Sequence, residues 1–308
     1  MSSDLLFRPG QTVTGLWHKR RYTVEGLLGR GANGEVYRVT DSSGQTLALK
    51  AAPLSSGLAL EHKILKRLSE VARGADLGPR VFDLDDVQVG GQKQFFLVME
   101  LVRGTTLPAF LDRRGRHWTP VLLLQLCTYL ERLHETGNAF GDLKAENCLV
   151  EEARGAVRLV DFGGVTPFGR GVKEYTEWYD RAWWGRGSRM AEEDYDVFAL
   201  AMLAIALLAP DLRKALTESG VPNGSRLRQA VSSDARLADW RGLLQGVFDG
   251  RVRTISAFRQ ELLPLVKAGV RLEQKEKVRR KPRDWTDWLV VGSGLVLMLV
   301  FCQFVLFR

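Results

Sequence analysis

Hydrophobic and polar residues alternate along much of the first hundred positions, which is the pattern of half-buried β-strands. Three strands are predicted within 22–50, and the polar turn at 41–45 joins the last two as a hairpin. Two more strands are predicted over 81–89 and 94–102, separated by a glycine pair. The first part of the chain is therefore predicted to be a small unit rich in β-structure.

Three segments show instead the apolar spacing or length of a helix. The first, over 57–68, interrupts the strands. The second, over 119–135, repeats leucine at intervals of three and four residues, and Thr119 is predicted to cap it. The third, over 197–209, carries no charge, but it is too short to span a bilayer and is predicted to be a buried core helix.

The C-terminal run 288–307 is uncharged over its whole length and mostly apolar. At a rise of about 1.5 Å per residue it reaches about 30 Å, the thickness of the hydrocarbon core of a bilayer. We therefore predict a transmembrane helix that acts as a single-pass C-terminal anchor. Basic residues precede this run and a lone Arg308 follows it, which predicts a location in the cell membrane with the preceding domain in the cytoplasm.

The formal net charge of +8 points to an anionic partner without choosing one. The stretch 267–283 is rich in lysine and arginine, and three interpretations remain open for it. It serves as the positive flank of the anchor, or it binds anionic lipid, or it binds DNA, and the last two would make it an activating element. The three cysteines lack metal-site spacing, which fits a reducing compartment without disulfides or a zinc site.

The polar loop 140–147 carries the most specific chemistry in the chain, together with an Asp-Phe-Gly that begins at Asp161. Asp142 could accept the proton of an attacking hydroxyl, and Lys144 could neutralise a moving phosphoryl group. Asn147 and Asp161 could hold Mg²⁺ against phosphates. This set of residues is the one that phosphoryl transfer from ATP requires.

A glycine-rich segment provides the phosphate-binding candidates Gly29, Gly31 and Gly34. Glycines let backbone N–H groups approach phosphate oxygens closely. A strand follows them, where a dinucleotide-binding unit would need a helix, and this favours a loop that covers ATP. In the next strand Ala48 and Lys50 share one face, so that a small residue for adenine lies beside a cation for the phosphates.

Glu61 lies on the same helical stripe as Leu65 and Leu68, and an inward carboxylate needs a partner. Lys50 is the predicted partner, and Glu70 is a weaker candidate for the same role. The strand that ends near Glu100 turns polar at Gly104, which suits a hinge whose backbone meets adenine. A buried strand that ends at a loop is equally compatible with these residues.

In this order, the motifs resemble Hanks-type bacterial serine/threonine protein kinases over about residues 20–268. They are also similar to the membrane-anchored kinases of spore-forming bacteria. The resemblance implies an α+β fold with two lobes, a small β-rich N-lobe and a larger helical C-lobe, followed by the transmembrane helix. The implied divisions are an N-terminal lead over 1–20, the N-lobe over 21–102, the C-lobe over 103–267, a basic juxtamembrane linker over 268–287 and the anchor over 288–307.

The resemblance also implies roles residue by residue, with ATP and Mg²⁺ as cofactors. Catalysis falls to Asp142 and Lys144, and metal binding to Asn147 and Asp161. Asp196 would brace the backbone of the catalytic loop. The implied ATP-binding residues are Gly29, Gly31, Gly34, Val36, Ala48, Lys50, Glu61, Glu100 and Val102.

Two departures from the family pattern affect the segment that follows the catalytic loop. Phe140 and Gly141 stand where the family has His-Arg, so the arginine that clamps a phosphorylated activation segment is missing. We therefore predict that phosphorylation of this segment is not an essential on-switch through that clamp. Residues 181–183 replace Ala-Pro-Glu, and Glu192 or Glu193 is expected to substitute for the missing glutamate.

The expected function is a protein kinase that phosphorylates serine and threonine hydroxyls of other proteins and of itself, with self-association left open. One alternative is a small-molecule kinase of the aminoglycoside-phosphotransferase type, which also favours glycine before the catalytic aspartate. The other is a pseudokinase scaffold. The long segment 161–196 argues against the first alternative, and the complete set of catalytic side chains argues against the second.

Overall fold

The structure is a computed structural model, and it describes residues 5–31, 34–71, 78–218 and 222–280. The chain divides into two compact units, Met1–Val266 and Lys267–Arg308. In the second unit the structure describes the backbone of 267–280, which is helical. The predicted anchor and the end of the basic stretch lie outside the described residues.

Six antiparallel strands and one helix build the N-terminal part of the first unit. The sheet has the order β1-β2-β3-β4-β6-β5. The bounds are β1 Thr12–Thr14, β2 Arg21–Gly31, β3 Gly34–Asp41, β4 Thr46–Ala52, α1 Ser55–Val71, β5 Val81–Val89 and β6 Gln92–Glu100. The five predicted strands are confirmed, although β6 ends two residues earlier than expected. The residues interpreted as a lead contribute β1, and Phe7 is fully buried against the sheet.

The alternation in β4 separates two apolar clusters, one on each face of the sheet. Ala48 faces the cluster that contains Leu65 and Leu68 of α1. Leu47 and Leu49 face the other cluster with Phe7. Each fully buried leucine contributes about 1.5–3 kcal/mol. The first cluster fixes α1 against the sheet, and so it fixes Lys50 relative to Glu61.

The C-terminal part of the first unit is mainly helical, with short strands at the junction. Its small sheets have the orders β10-β9-β7 and β11-β8. The bounds are β7 Thr105–Thr106, α2 Leu107–Arg114, α3 Thr119–His134, β8 Asn138–Ala139, β9 Cys148–Glu151, β10 Ala156–Leu159, β11 Thr166–Pro167, α4 Glu193–Leu208, α5 Pro210–Glu218, α6 Gly224–Ser233, α7 Arg241–Phe248 and α8 Ile255–Arg280.

The start of α3 corrects one expectation. Thr119 does not cap the helix, because it is already inside it, and Trp118 occupies the cap position without a side-chain hydrogen bond. A short 3₁₀ turn over Arg116–Trp118 leads directly into α3, so the threonine backbone is helical. The predicted leucine stripe of α3 is buried as expected.

Helix α4 runs through the core and begins at Glu193, four residues before the start expected at 197. Acidic side chains in the first turn favour this earlier start, since they lie near the positive end of the helix dipole. No single helix in the described part of the chain is long and apolar enough to cross a bilayer. By length and composition alone, α4 and α5 together pass that test, with a bend of 111° between them.

Candidate active site

A buried ion-pair cluster joins β4, α1 and the Asp-Phe-Gly segment. Lys50 Nζ lies 2.8 Å from Glu61 Oε2 and 2.8 Å from Asp161 Oδ1. The side chains of Lys50 and Glu61 are almost fully buried. Burial by itself would lower the pKa of Lys50, but the two carboxylates outweigh it and raise that pKa above its ordinary value. The ammonium group is therefore held permanently charged.

Asp161 keeps its negative charge for a related reason. Burial would raise the pKa of this carboxyl, but the Lys50 charge and hydrogen bonds from Lys50 and the Gly163 N–H lower it below its ordinary value. The Gly163 nitrogen lies 3.1 Å from Asp161 Oδ1. A charged carboxylate at this place can act as a metal ligand.

The catalytic loop holds Asp142 mainly by one of its two oxygens. Oδ2 accepts hydrogen bonds from Lys144 Nζ at 2.6 Å and from Asn147 Nδ2 at 3.2 Å. Asn147 Nδ2 also donates to the Asp142 carbonyl at 2.8 Å. Oδ1 accepts a long bond of 3.4 Å from Thr176 Oγ1. This arrangement orients Oδ1 as the oxygen that could receive a proton.

Asp196 holds the backbone of the catalytic loop by hydrogen bonds. Its carboxylate accepts hydrogen bonds from the backbone nitrogens of Phe140 at 2.7 Å and Gly141 at 2.9 Å. His134 Nε2 lies 2.8 Å from the same carboxylate. Because Asp196 is fully buried, removing its carboxylate would leave two backbone donors without partners.

The backbone itself requires glycine at position 141. Gly141 has φ +78°, in the left-handed region that side chains disfavour. A Cβ atom there would lie 2.7 Å from the Gly164 carbonyl oxygen. The family arginine is absent at position 141 because the chain here brings the loop against residues that follow Asp161.

Two adjoining cavities connect the predicted ATP-binding residues. The first has a volume of about 320 Å³ and is lined by apolar side chains and the connection after β6. It contains the predicted residues Gly29, Val36, Ala48, Lys50, Glu100, Val102 and Asp161. The second, of about 680 Å³, contains Gly29, Gly31, Gly34, Val36, Lys50, Asp142, Lys144, Asn147 and Asp161. Glu61 lines neither cavity and contacts Lys50 instead. Residues 32–33 of the glycine-rich segment lie outside the described residues.

The donor set fits a magnesium ion. Asn147 and Asp161 line the same cavity, and Mg²⁺ prefers oxygen ligands. The Asn147 nitrogen is turned toward Asp142, which leaves its amide oxygen as the ligand atom. Asp161 supplies a charged carboxylate beside it.

Ion pairs and backbone hydrogen bonds hold the segment after Asp161 in place. Arg181 is buried, forms an ion pair with Glu192, and lies 2.7 Å from Asp194. Of the two glutamates expected to substitute for the family residue, Glu192 makes this contact, whereas Glu193 accepts a bond from the Ile255 nitrogen at 2.7 Å. Backbone hydrogen bonds also join 169–172 to 189–191.

Arg158 of β10 supports the adenine side of the site, a role that the sequence analysis did not predict. Its side chain is 5% exposed, and its two terminal nitrogens lie 3.1–3.4 Å from the Glu100 carboxylate. It also donates to Glu151 at 2.9 Å and to the Gly78 carbonyl at 3.2 Å. Arg158 therefore ties the connection after β6 to the small sheet beneath it.

We expect Arg158→Met to raise the KM for ATP about tenfold, with a smaller change in kcat. The substitution removes the cation closest to the partly buried Glu100 and Glu151 carboxylates, so the adenine side of the cavity loses its support. Steady-state kinetics with varied ATP measure the effect. Arg154→Met, at an exposed position of the same hairpin, is the control. A kcat loss at unchanged KM would contradict the expectation.

This fold, with its cluster of lysine and carboxylates above an Asp-containing loop, is that of protein kinases, and the chain belongs to that family. The protein kinase domain family matches residues 22–222. The serine/threonine-protein kinase YabT of Bacillus subtilis is 35% identical over 282 residues, which cover 91% of this chain and 81% of that protein. The chain is thus a protein serine/threonine kinase of the Hanks type.

Other comparisons agree on the family and on the fold. The serine/threonine-protein kinase PknD of Mycobacterium tuberculosis is 33% identical over 169 residues, or 50% of this chain and 25% of that protein. The solved structure of vaccinia related kinase 3 has a TM-score of 0.63 and 16% identity, covering 87% of this chain and 94% of that one. The Cydia pomonella granulovirus kinase PK-1 gives a TM-score of 0.61 at 16% identity, covering 80% and 94%. The β-rich and helical lobes of the predicted fold are thereby confirmed.

Proposed function

We propose that the chain transfers the γ-phosphoryl group of ATP, with Mg²⁺, to serine and threonine hydroxyls of proteins, including its own. The observation that carries this proposal is the cavity that brings together Lys50, Asp142, Asn147 and Asp161. Asn147 and Asp161 would hold magnesium, which would neutralise phosphate charge. Lys50 supplies a fixed cation for the phosphates, since Glu61 holds it in place.

At the acceptor side, Asp142 Oδ1 orients the incoming hydroxyl and takes its proton. The hydroxyl oxygen forms a bond to phosphorus as the bond to the departing ADP oxygen breaks. Lys144 Nζ, 2.6 Å from Asp142, lies where it can balance the charge of the moving group. Thr176 of the activation segment reaches Asp142, which favours a protein acceptor over a small molecule.

We expect Lys50→Ala to abolish phosphorylation of a generic protein by the full chain in the presence of labelled ATP. Loss of this buried cation removes the phosphate contact and leaves Glu61 uncompensated. Lys63→Ala, on the exposed face of α1, is the matched control. Labelling of an aminoglycoside instead of protein would support the small-molecule alternative, and ATP binding without any transfer would support the scaffold.

We also propose that 288–307 anchors the chain in the cell membrane, with the kinase domain in the cytoplasm. The uncharged length of this run and the basic residues before it support the proposal. We expect Leu297→Arg with Leu299→Arg to move the chain to the soluble fraction, because each arginine at a helix centre costs about 2.5–3.5 kcal/mol on insertion scales. Leu54→Arg, at a position with 72% exposure, is the control and should remain membrane-bound.

Finally, we propose that the basic stretch 267–283 contacts an anionic surface and that this contact activates the kinase. DNA and anionic lipid vesicles are the two probes, and autophosphorylation is measured with each across a salt series. Activation should weaken as salt rises, since the attraction is electrostatic. An absence of response to both probes would refute this part of the proposal.

A further inference from the structure

A third cavity, which shares no lining residue with the two described above, lies between α1 and the beginning of β5. Its volume is about 580 Å³, within the range of about 300–1,000 Å³ that is usual for ligand pockets. Most of the polar side chains that line this cavity are basic or can donate a hydrogen bond. They include His18, Arg20, His62, Lys66, Ser69 and Arg80.

The charges of this cavity do not cancel. Among the described residues that line it, Arg20, Lys66 and Arg80 contribute three positive charges and Asp83 contributes one negative charge. Asp83 is already engaged, because Tyr22 donates to its Oδ2 at 2.7 Å and His18 Nδ1 lies 2.7 Å from its Oδ1. At neutral pH two positive charges therefore remain in excess.

Lys66 is the cation least engaged by the protein. Arg20 donates to the Phe82 carbonyl at 2.6 Å, and Arg80 lies 3.9 Å from Glu100. In contrast, no ion pair or hydrogen bond to the Lys66 ammonium is present in the described part of the chain. Burial lowers the pKa of His62, and the nearby positive charge of Lys66 lowers it further, so His62 adds no lasting charge of its own beside that ammonium group.

We propose that this cavity binds a phosphate group carried by a serine or threonine side chain of a protein. Guanidinium and ammonium donors around one concave site match the charge and the several oxygens of a single dianion. A DNA duplex would require cations spaced along an extended surface, and here they surround one cavity. The choice of a phosphorylated residue rests on the proposed function, because the kinase reaction creates that group.

Occupancy of the cavity would act on the active site through α1. His62 and Lys66 lie on this helix beside Glu61, the partner of Lys50. A phosphate bridging Lys66 and Arg80 would tie α1 to β5 and would hold Glu61 against Lys50. We therefore expect bound phosphopeptide to increase the rate of protein phosphorylation.

The binding test uses the full chain and a fluorescent peptide that contains one phosphoserine, with the unphosphorylated peptide, inorganic phosphate and a DNA duplex as competitors. Lys66→Glu and the double variant Lys66→Glu with Arg80→Glu should each weaken phosphopeptide binding tenfold or more. Lys63→Glu with Arg67→Glu is the charge-matched control for the double variant, since these exposed residues lie on the helix of Lys66 but outside the cavity. Binding is measured by fluorescence anisotropy, so its result does not depend on kinase activity.

The expected result is binding of the phosphopeptide, with little competition from the unphosphorylated peptide and weak competition from inorganic phosphate. Binding should be lost in the Lys66 variants and kept in the control. Equal competition by the unphosphorylated peptide would overturn the proposal. So would stronger competition by DNA, or equal loss of binding in the control variant. A Lys50→Ala chain that still binds the peptide would separate this site from the phosphoryl-transfer activity.

Discussion

Asp142→Asn should reduce protein phosphorylation by about 10²–10⁴-fold, the usual contribution of a positioned general base. The amide cannot take the hydroxyl proton, and its nitrogen cannot accept the bonds that Lys144 and Asn147 donate to the carboxylate. The affinity for ATP should change little, because Asp142 does not line the smaller cavity with Ala48 and Glu100. Single-turnover transfer of labelled phosphate, together with nucleotide titration, measures both quantities.

The comparison variant is Asp112→Asn, which changes an exposed carboxylate of α2 in the same way. It should leave transfer and binding unchanged. If Asp142→Asn kept more than a tenth of the activity, another group would have to accept the proton, and the assignment of Asp142 would be wrong.

Gly141→Ala should both destabilise the chain and inactivate it, although it adds a single methyl group. The left-handed backbone costs a side chain about 1–2 kcal/mol, and the new Cβ would also press against the Gly164 carbonyl at 2.7 Å. Relief of that contact must move either the catalytic loop or the chain after Asp161. We expect a lower Tm and a large loss of kcat, since Asp142 is the next residue.

Gly137→Ala separates these two causes. Gly137 has nearly the same φ, +77°, but a Cβ there would have no heavy atom within 4 Å. It should show the backbone cost alone and should retain activity. Equal effects of the two substitutions on kcat would mean that the close approach to Gly164 is unimportant. Restoring the family arginine at 141 should be at least as harmful as alanine.

The parts of the fold that depend on local pattern could be predicted from the sequence. Alternation in β4 correctly separated Ala48 and Lys50 from Leu47 and Leu49, because strand side chains point to opposite faces. The stripe on α1 correctly placed Glu61 beside core leucines. A buried carboxylate needs a cation, so the approach of Lys50 could be inferred although the two residues lie on different elements.

Features that depend on contacts between residues far apart in the chain could not be predicted from the sequence. Arg158 lies in a short strand, and nothing near it in the chain indicates that its partner is Glu100, 58 positions away. The capping role expected of Thr119 failed because the preceding 3₁₀ turn had no signal of its own. Likewise, Gly141 was noticed for the arginine it lacks, whereas its conformation depends on packing against Gly164.

For the candidate site, the sequence predicted the residues but not their arrangement in space. Residue types and their order were enough to suggest Asp142, Lys144, Asn147 and Asp161, because the chemistry of phosphate and metal restricts the choice. Their common cavity could be seen only in three dimensions. The roles of these residues toward ATP and Mg²⁺ stay predictions that the substitutions above can test.

The ion pairs of Arg181 with Glu192 and Asp194, and the backbone bonds between 169–172 and 189–191, need no added phosphate. A newly synthesised molecule could therefore reach its working shape without an upstream enzyme. Restraint of such a catalyst would then fall to the anionic contacts proposed above, or to its supply and turnover in the cell.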